Sequence, residues 1–211
     1  MIVIHAVLET RALPDFSFWP VAEQPPYHLM SLSGALSPDR IGTAMATLAD
    51  YNSRRADVRQ AGPAAAFLSS LLHEEGFVAP GGLRVQDTET GTAVTPGCCC
   101  GLEDWREWLE IADGGETWLG HDPTPWTEQL GETVLLRPDD RTPEPVIEIP
   151  RAELTRLLLR VQQDLADFLL LVSAWAARHA PESAEAVVEA FDRSLAITAP
   201  LRTARVRRPA S

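Results

Sequence analysis

The first nine residues, MIVIHAVLE, are apolar on both alternating faces. That is the pattern of a β-strand buried on one side and at least half covered on the other. Residues 10–26 then break all periodicity with Pro14, Pro20, Pro25 and Pro26. Phe16, Phe18 and Trp19 between them demand cover, so the stretch reads as an irregular hydrophobic wrap. Residues 27–32 are expected to form a short second strand. Ser37-Pro38-Asp39 combines a capping serine, proline at the first helical position and an acid in the first turn. It predicts a helix to about Tyr51, with Ile41, Ala44, Met45, Leu48 and Ala49 inward. A further helix is expected from Gly62-Pro63 to near Gly76, burying Phe67, Leu68, Leu71 and Leu72. Leu83–Asp87 and Thr92–Thr95 flank Thr-Glu-Thr-Gly and read as a hairpin.

Residues 151–180 carry the longest regular pattern. Leu154, Leu158, Val161, Leu165, Phe168, Val172 and Trp175 recur at alternating spacings of four and three, and Leu157 and Leu169–Leu171 widen the stripe. Pro150 precedes this helix and Pro181 follows it. Ala184, Val188, Phe191 and Leu195 mark a second helix over 182–198, and the two are expected to form an antiparallel helical hairpin. The first helix is apolar over too wide an arc for one short partner, so it must also cover a sheet or a second subunit. The sheet is favoured, because layered packing around one core is the general solution. Val134–Leu136 and Val146–Ile149 are expected to form a second hairpin around an acidic, proline-bearing loop. The fold expected is α+β: one small mixed or antiparallel sheet covered by helices, with the helical hairpin at the C-terminal end. Residues 1–150 form the core, 151–199 the hairpin packed on it and 200–211 a basic flexible tail.

Candidate chemistry concentrates in residues 97–137, which hold four of the six tryptophans and all three cysteines. Leu102, Trp105, Leu109 and Ala112 predict an amphipathic helix stopped by Gly114-Gly115, which places Trp105 and Trp108 in the core. Residues 116–129 have two X-Pro steps and no period, hence a loop, and it carries Trp118, His121, Asp122 and Trp126. Trp118 and Trp126 are the candidate binding residues. Glu116 and Glu128, with neighbouring acids, form a rim that favours a protein partner with a basic surface.

Cys98-Cys99-Cys100 lacks the two-residue spacing by which a turn presents two sulfurs to zinc, and in an extended chain only Cys98 and Cys100 share a face. Flanking glycines point to small buried hydrophobes, and no metal set is expected. The alternative is a reactive Cys100 thiolate, its pKa lowered by the helix that follows. His121-Asp122 is the one conventional acid–base pair by residue type. Cys100, His121 and Asp122 are therefore the candidate catalytic residues. No nucleophile elbow, zinc helix, dinucleotide loop or phosphate loop accompanies them, and no cofactor is implied.

A net charge of −12 argues against a general nucleic-acid binder. The last eleven residues carry Arg202, Arg205, Arg207 and Arg208 and no acid. The chain contains no lysine, and arginine cannot deprotonate to form a Schiff base, which removes imine and pyridoxal-phosphate chemistry together. No run of eighteen apolar residues and no charged-then-apolar leader occurs, so no membrane partner is expected and the cytoplasm is the expected compartment.

The order of short amphipathic helix, Gly-Gly, polar loop and strand resembles, over about thirty residues, a group of bacterial immunity proteins built on a helix–Gly-Gly–strand core. The resemblance implies binding of a toxin protein through an acidic face. The function expected is a non-enzymatic interaction module, immunity- or inhibitor-like, presenting an acidic, tryptophan-bearing loop. One alternative is an enzyme or metal-dependent protein using Cys100, His121 and Asp122. The other is a structural homo-oligomer built on the long helix, a homodimer in its simplest form.

Overall fold

Two antiparallel sheets, rather than one, lie against a shared set of helices. The computed structural model describes residues 1–53, 64–141 and 145–201. The expected helix start at Gly62-Pro63, the centre of the acidic loop and the arginine tail fall outside those residues. The first sheet has the order β2-β1-β3-β4, from β1 (Ile2–Thr10), β2 (His28–Ser31), β3 (Gly81–Asp87) and β4 (Ala93–Val94). Its long ladder runs from Ile2 opposite Asp87 to Leu8 opposite Gly81. The second sheet is β5 (Trp126–Leu130), β6 (Thr133–Arg137) and β7 (Ile147–Pro150) in sequence order. Both expected hairpins form, β3–β4 and β6–β7, and every pairing is antiparallel.

The single sheet expected from the sequence is replaced by two because one helix is wide enough to serve both. Helix α4 (Arg151–His179) buries Leu154, Leu157, Leu158, Val161, Leu165, Phe168, Leu169, Val172, Trp175 and Ala176. At 1.5 Å per residue it is roughly 43 Å long, and it contacts β1 of one sheet and β7 of the other. Its remaining apolar arc meets α1 (Pro38–Ser53), α3 (Trp108–Ala112) and α5 (Ala184–Leu195). The C-terminal helices are antiparallel: Phe168 and Phe191 rings lie 6.1 Å apart, and Gln162 Nε2 donates to the Ile197 and Ala199 carbonyls at 2.7 Å each. The inward side of α5 is Val187, Ala190, Phe191 and Leu195, one step round from the expected stripe. The wrap over residues 10–26 has no regular structure. Its Trp19 packs edge-on against Trp175 of α4 at 4.9 Å and donates to the Gly42 carbonyl at 2.8 Å.

Three local expectations are corrected. Residues 102–112 are not one α-helix but a 3-10 helix, Leu102–Glu107, continued by α3. The buried side chains are Leu102, Trp105, Trp108 and Ile111, spaced by three throughout, and the three-residue turn of the 3-10 segment stacks the first of them on one line. The helix after residue 63 is shorter than expected, α2 (Ala64–Leu68) with a 3-10 turn to Leu71. Trp126 lies in strand β5, not in a loop. The strand leaves no hydrophobic alternation because its inward residues, Thr127 and Gln129, are polar; Gln129 spends its amide on the Ile111 and Gly115 carbonyls at 3.0 and 3.1 Å.

Candidate functional site

The three cysteines lie on a strip of backbone held from both sides. On one side Pro80 and Gly101 form an isolated antiparallel bridge, with Leu102 N donating to Ala79 O at 2.7 Å and Ala79 N to Glu103 Oε2 at 2.8 Å. On the other, Cys98 bridges His121 by amide–carbonyl bonds of 2.5 and 3.2 Å, and Gly97 N donates to Leu119 O at 2.9 Å. This pairing carries His121 from a distant stretch to the cysteines.

Cys99 has φ of +66°, the left-handed region that side chains other than those of glycine and asparagine rarely adopt. That turn cancels the alternation of an extended chain and brings Cys98 Sγ and Cys99 Sγ to 3.5 Å. One donor atom each from Cys98, Cys99 and His121 lies within 4.8 Å of the others. Adjacent sulfurs facing opposite ways, the ground for setting a metal aside, do not occur at this pair. His121 Nδ1 lies 3.4 Å from Asp122 Oδ2, and Asp122 Oδ1 lies 3.4 Å from Arg141 Nη2. The shared sulfur contact with Cys98 holds the Cys99 thiol above its ordinary range.

On its inner side the same strip borders a cleft of about 270 Å³. Trp105, Trp108 and Leu119 are among its apolar lining, Asp104 and Glu107 are its acids, and Trp118, which also lines it, is 59% exposed. Trp105 and Trp108 are buried, as their periodicity requires. Trp105 Nε1 donates to the Leu195 carbonyl at 2.7 Å, fixing the cleft wall to the end of α5. Arg106 does not join the acidic rim: its guanidinium donates to the Ala196 carbonyl at 3.0 and 2.6 Å, satisfying the α5 terminus. Thr117 Oγ1 donates to Glu107 Oε2 at 2.6 Å and orients that carboxylate over the cleft. Burial, then the neighbouring Glu107, raises the Asp104 pKa.

The proposed residues are thus divided among three places. Trp118 lines the cleft, with its ring 6.4 Å from that of His121. Trp126, 36% exposed, sits on β5 beneath the Arg137 guanidinium, 5.2 Å from its ring centroid, with Glu128 3.6 Å from the same arginine. Glu116 is exposed. Cys100 lines the cleft while His121 and Asp122 belong to the outer cluster. The cysteines are not buried hydrophobes, since Cys98 and Cys99 are exposed and Cys100 is half-buried. Nor is the Cys100 thiol lowered by the helix beyond it. Burial, then the carboxylates of Asp104 and Glu107, pushes it up to about 11, because a short 3-10 turn rimmed with acids offers a thiolate no net positive field. Cys98 and Cys99, rather than Cys100, accompany His121. The hidden signal was the pair Gly97 and Gly120, whose spacing allows the two backbones to touch.

No protein-family model, curated protein or solved structure matches this chain. Among the described residues no helix is long and apolar enough to cross a membrane. The functional reading rests on the geometry of the site itself.

Proposed function

We propose that this protein is an interaction module that takes a cationic, partly apolar anchor of another protein into the cleft between the 3-10 helix and Trp118. One observation carries the reading: an indole more than half exposed at the mouth of an apolar cleft whose wall bears Asp104 and Glu107. A large aromatic ring at low entropic cost, beside carboxylates, suits an arginine or lysine stem with its charge. The overall charge of −12 favours approach of a basic surface. In the immunity-like reading this partner is a toxin. Trp126 and Glu128, on β5, would form a second, peripheral contact rather than part of the same grip.

Selection of displayed random peptides on the full chain tests the reading. Enriched peptides should pair arginine or lysine with an aromatic or aliphatic neighbour and lose binding to Trp118→Ala and to Asp104→Asn/Glu107→Gln. Absence of enrichment, or equal binding to these variants, overturns it. The catalytic alternative draws less support, since burial and the nearby carboxylates push the Cys100 thiol up to about 11 and the sulfurs that group with His121 are those of Cys98 and Cys99. The homo-oligomer alternative has the outer side of α4 to draw on, where Leu159 and Leu170 are exposed.

A further inference from the structure

We propose that Cys98, Cys99 and His121 form a metal site of the zinc class, with three protein donors and a fourth position open to water or to a donor from a bound molecule. The inference is independent of the cleft and its partner. Three observations converge on it. The donors are two sulfurs and an imidazole, the set that selects borderline-soft divalent ions over magnesium or calcium. Their separations suit one ion: the sulfurs lie 3.5 Å apart and all three donor atoms within 4.8 Å. With zinc–sulfur bonds of about 2.3 Å and zinc–nitrogen bonds of about 2.0 Å, tetrahedral donors fall roughly 3.4–3.8 Å apart, so small side-chain rotations close the set.

The supporting groups are also in place. His121 Nδ1 lies 3.4 Å from the Asp122 carboxylate, a pairing that leaves Nε2 to serve as the donor, and Arg141 lies 3.4 Å from the other oxygen of Asp122. A carboxylate behind a ligating histidine fixes its tautomer and strengthens it as a donor. Access is open: Cys98 and Cys99 border a cavity of about 390 Å³ where Glu9, Glu103 and Asp104 outnumber Arg11, a net negative lining that favours cations. The left-handed Cys99 and the close backbone bridge are the features that make the three donors converge.

Binding is an exchange of ions: one divalent metal enters, both thiol protons leave to solvent, and the bound unit of two thiolates, one neutral imidazole and the metal is uncharged. No oxidant or reductant takes part.

Cobalt(II) is the probe, added to the reduced full-length protein under argon. The expected result is a thiolate-to-cobalt charge-transfer band that saturates at one metal per chain and is erased by zinc(II). Cys98→Ser, Cys99→Ser and His121→Ala should each abolish the band or reduce it to that of a weak site, and Cys100→Ser should leave it intact. Asp122→Asn should weaken affinity by about 10–100-fold. Melting curves of the metal-free variants serve as the folding control, and His121→Gln provides a second histidine variant should alanine unfold the loop. Cobalt should also quench the Trp118 fluorescence, an effect removed by Trp118→Phe without loss of the band. Absence of the band, its dependence on Cys100, or its persistence without His121 overturns the assignment. Uptake of copper(I) with no uptake of zinc or cobalt overturns the choice of metal class.

Discussion

Gly97 and Gly120 face each other across the bridge that delivers His121 to the cysteines. A Cβ on Gly97 would lie 2.5 Å from His121 N and from Pro123 O, and one on Gly120 would lie 2.6 Å from the Gly97 backbone. Gly120 also has φ of +96°, which a side chain resists. Gly97→Ala should therefore destabilise the fold by about 1–3 kcal/mol, the usual cost of overpacking against atoms that cannot retreat. It should also separate Cys98 from His121. Urea unfolding measures the first effect and loss of cobalt binding the second. An unchanged midpoint would show that the bridge is not close.

The lone asparagine holds the opposite edge of the strip. Buried Asn52 donates to Leu48 O at 2.8 Å and Val78 O at 2.9 Å and accepts from Val78 N at 3.0 Å, tying α1 to the segment that leads into β3. Asn52→Ala leaves the amide and carbonyl of half-buried Val78 without their partner, and should cost about 1–3 kcal/mol in all. Faster amide exchange at residues 78–80 and 102 should accompany it. A variant as stable as the parent would refute this role.

Arg106→Ala should unfasten the end of α5. The guanidinium serves the carbonyl of Ala196, a residue in the left-handed conformation just past the helix, and those of Ala199 and Pro200. Charge-assisted bonds of this kind are worth about 1.5–3 kcal/mol together with their acceptors' satisfaction. Arg106→Lys should recover only part of it, since an ammonium cannot serve the fork of acceptors. Thermal unfolding of the three proteins checks the order.

His179, in the last turn of α4 with its ring 4.9 Å from that of Trp175, has its pKa lowered from 6.5 by burial and then by Arg178. The unfolded chain takes up this proton more readily than the folded one. The group therefore costs nothing above the unfolded value and lowers stability as the pH falls through 6.5 towards the folded value. His179→Gln should flatten that loss, seen as a smaller difference between urea midpoints at about pH 7.5 and about pH 5.5. A slope equal to the parent's would contradict it.

The sequence was readable wherever a hydrophobic pattern had one plausible structural owner. The apolar N-terminal strand, the helix opened by Ser37-Pro38-Asp39, the two hairpins and the long helix with its return partner are all in the structure. The exposed indole of Trp118 also lies in the stretch singled out. What escaped was set by contacts distant in sequence. Strand β5 owes its place to pairing with β6 and buries polar residues. The threefold spacing of Leu102, Trp105, Trp108 and Ile111 looks helical unless the turn is known to be tighter. A left-handed Cys99 cannot be foreseen from cysteine chemistry, which disfavours it, and the meeting of Cys98 with His121 depends on two glycines more than twenty residues apart.

The cysteine strip is a partition as well as a scaffold. Cys100, Gly101 and Asp104 border both the cleft under Trp118 and the acidic cavity beside Cys98 and Cys99. A ligand lodged on either side presses on a wall common to both, so the backbone amides of residues 98–101 should register the filling of either chamber.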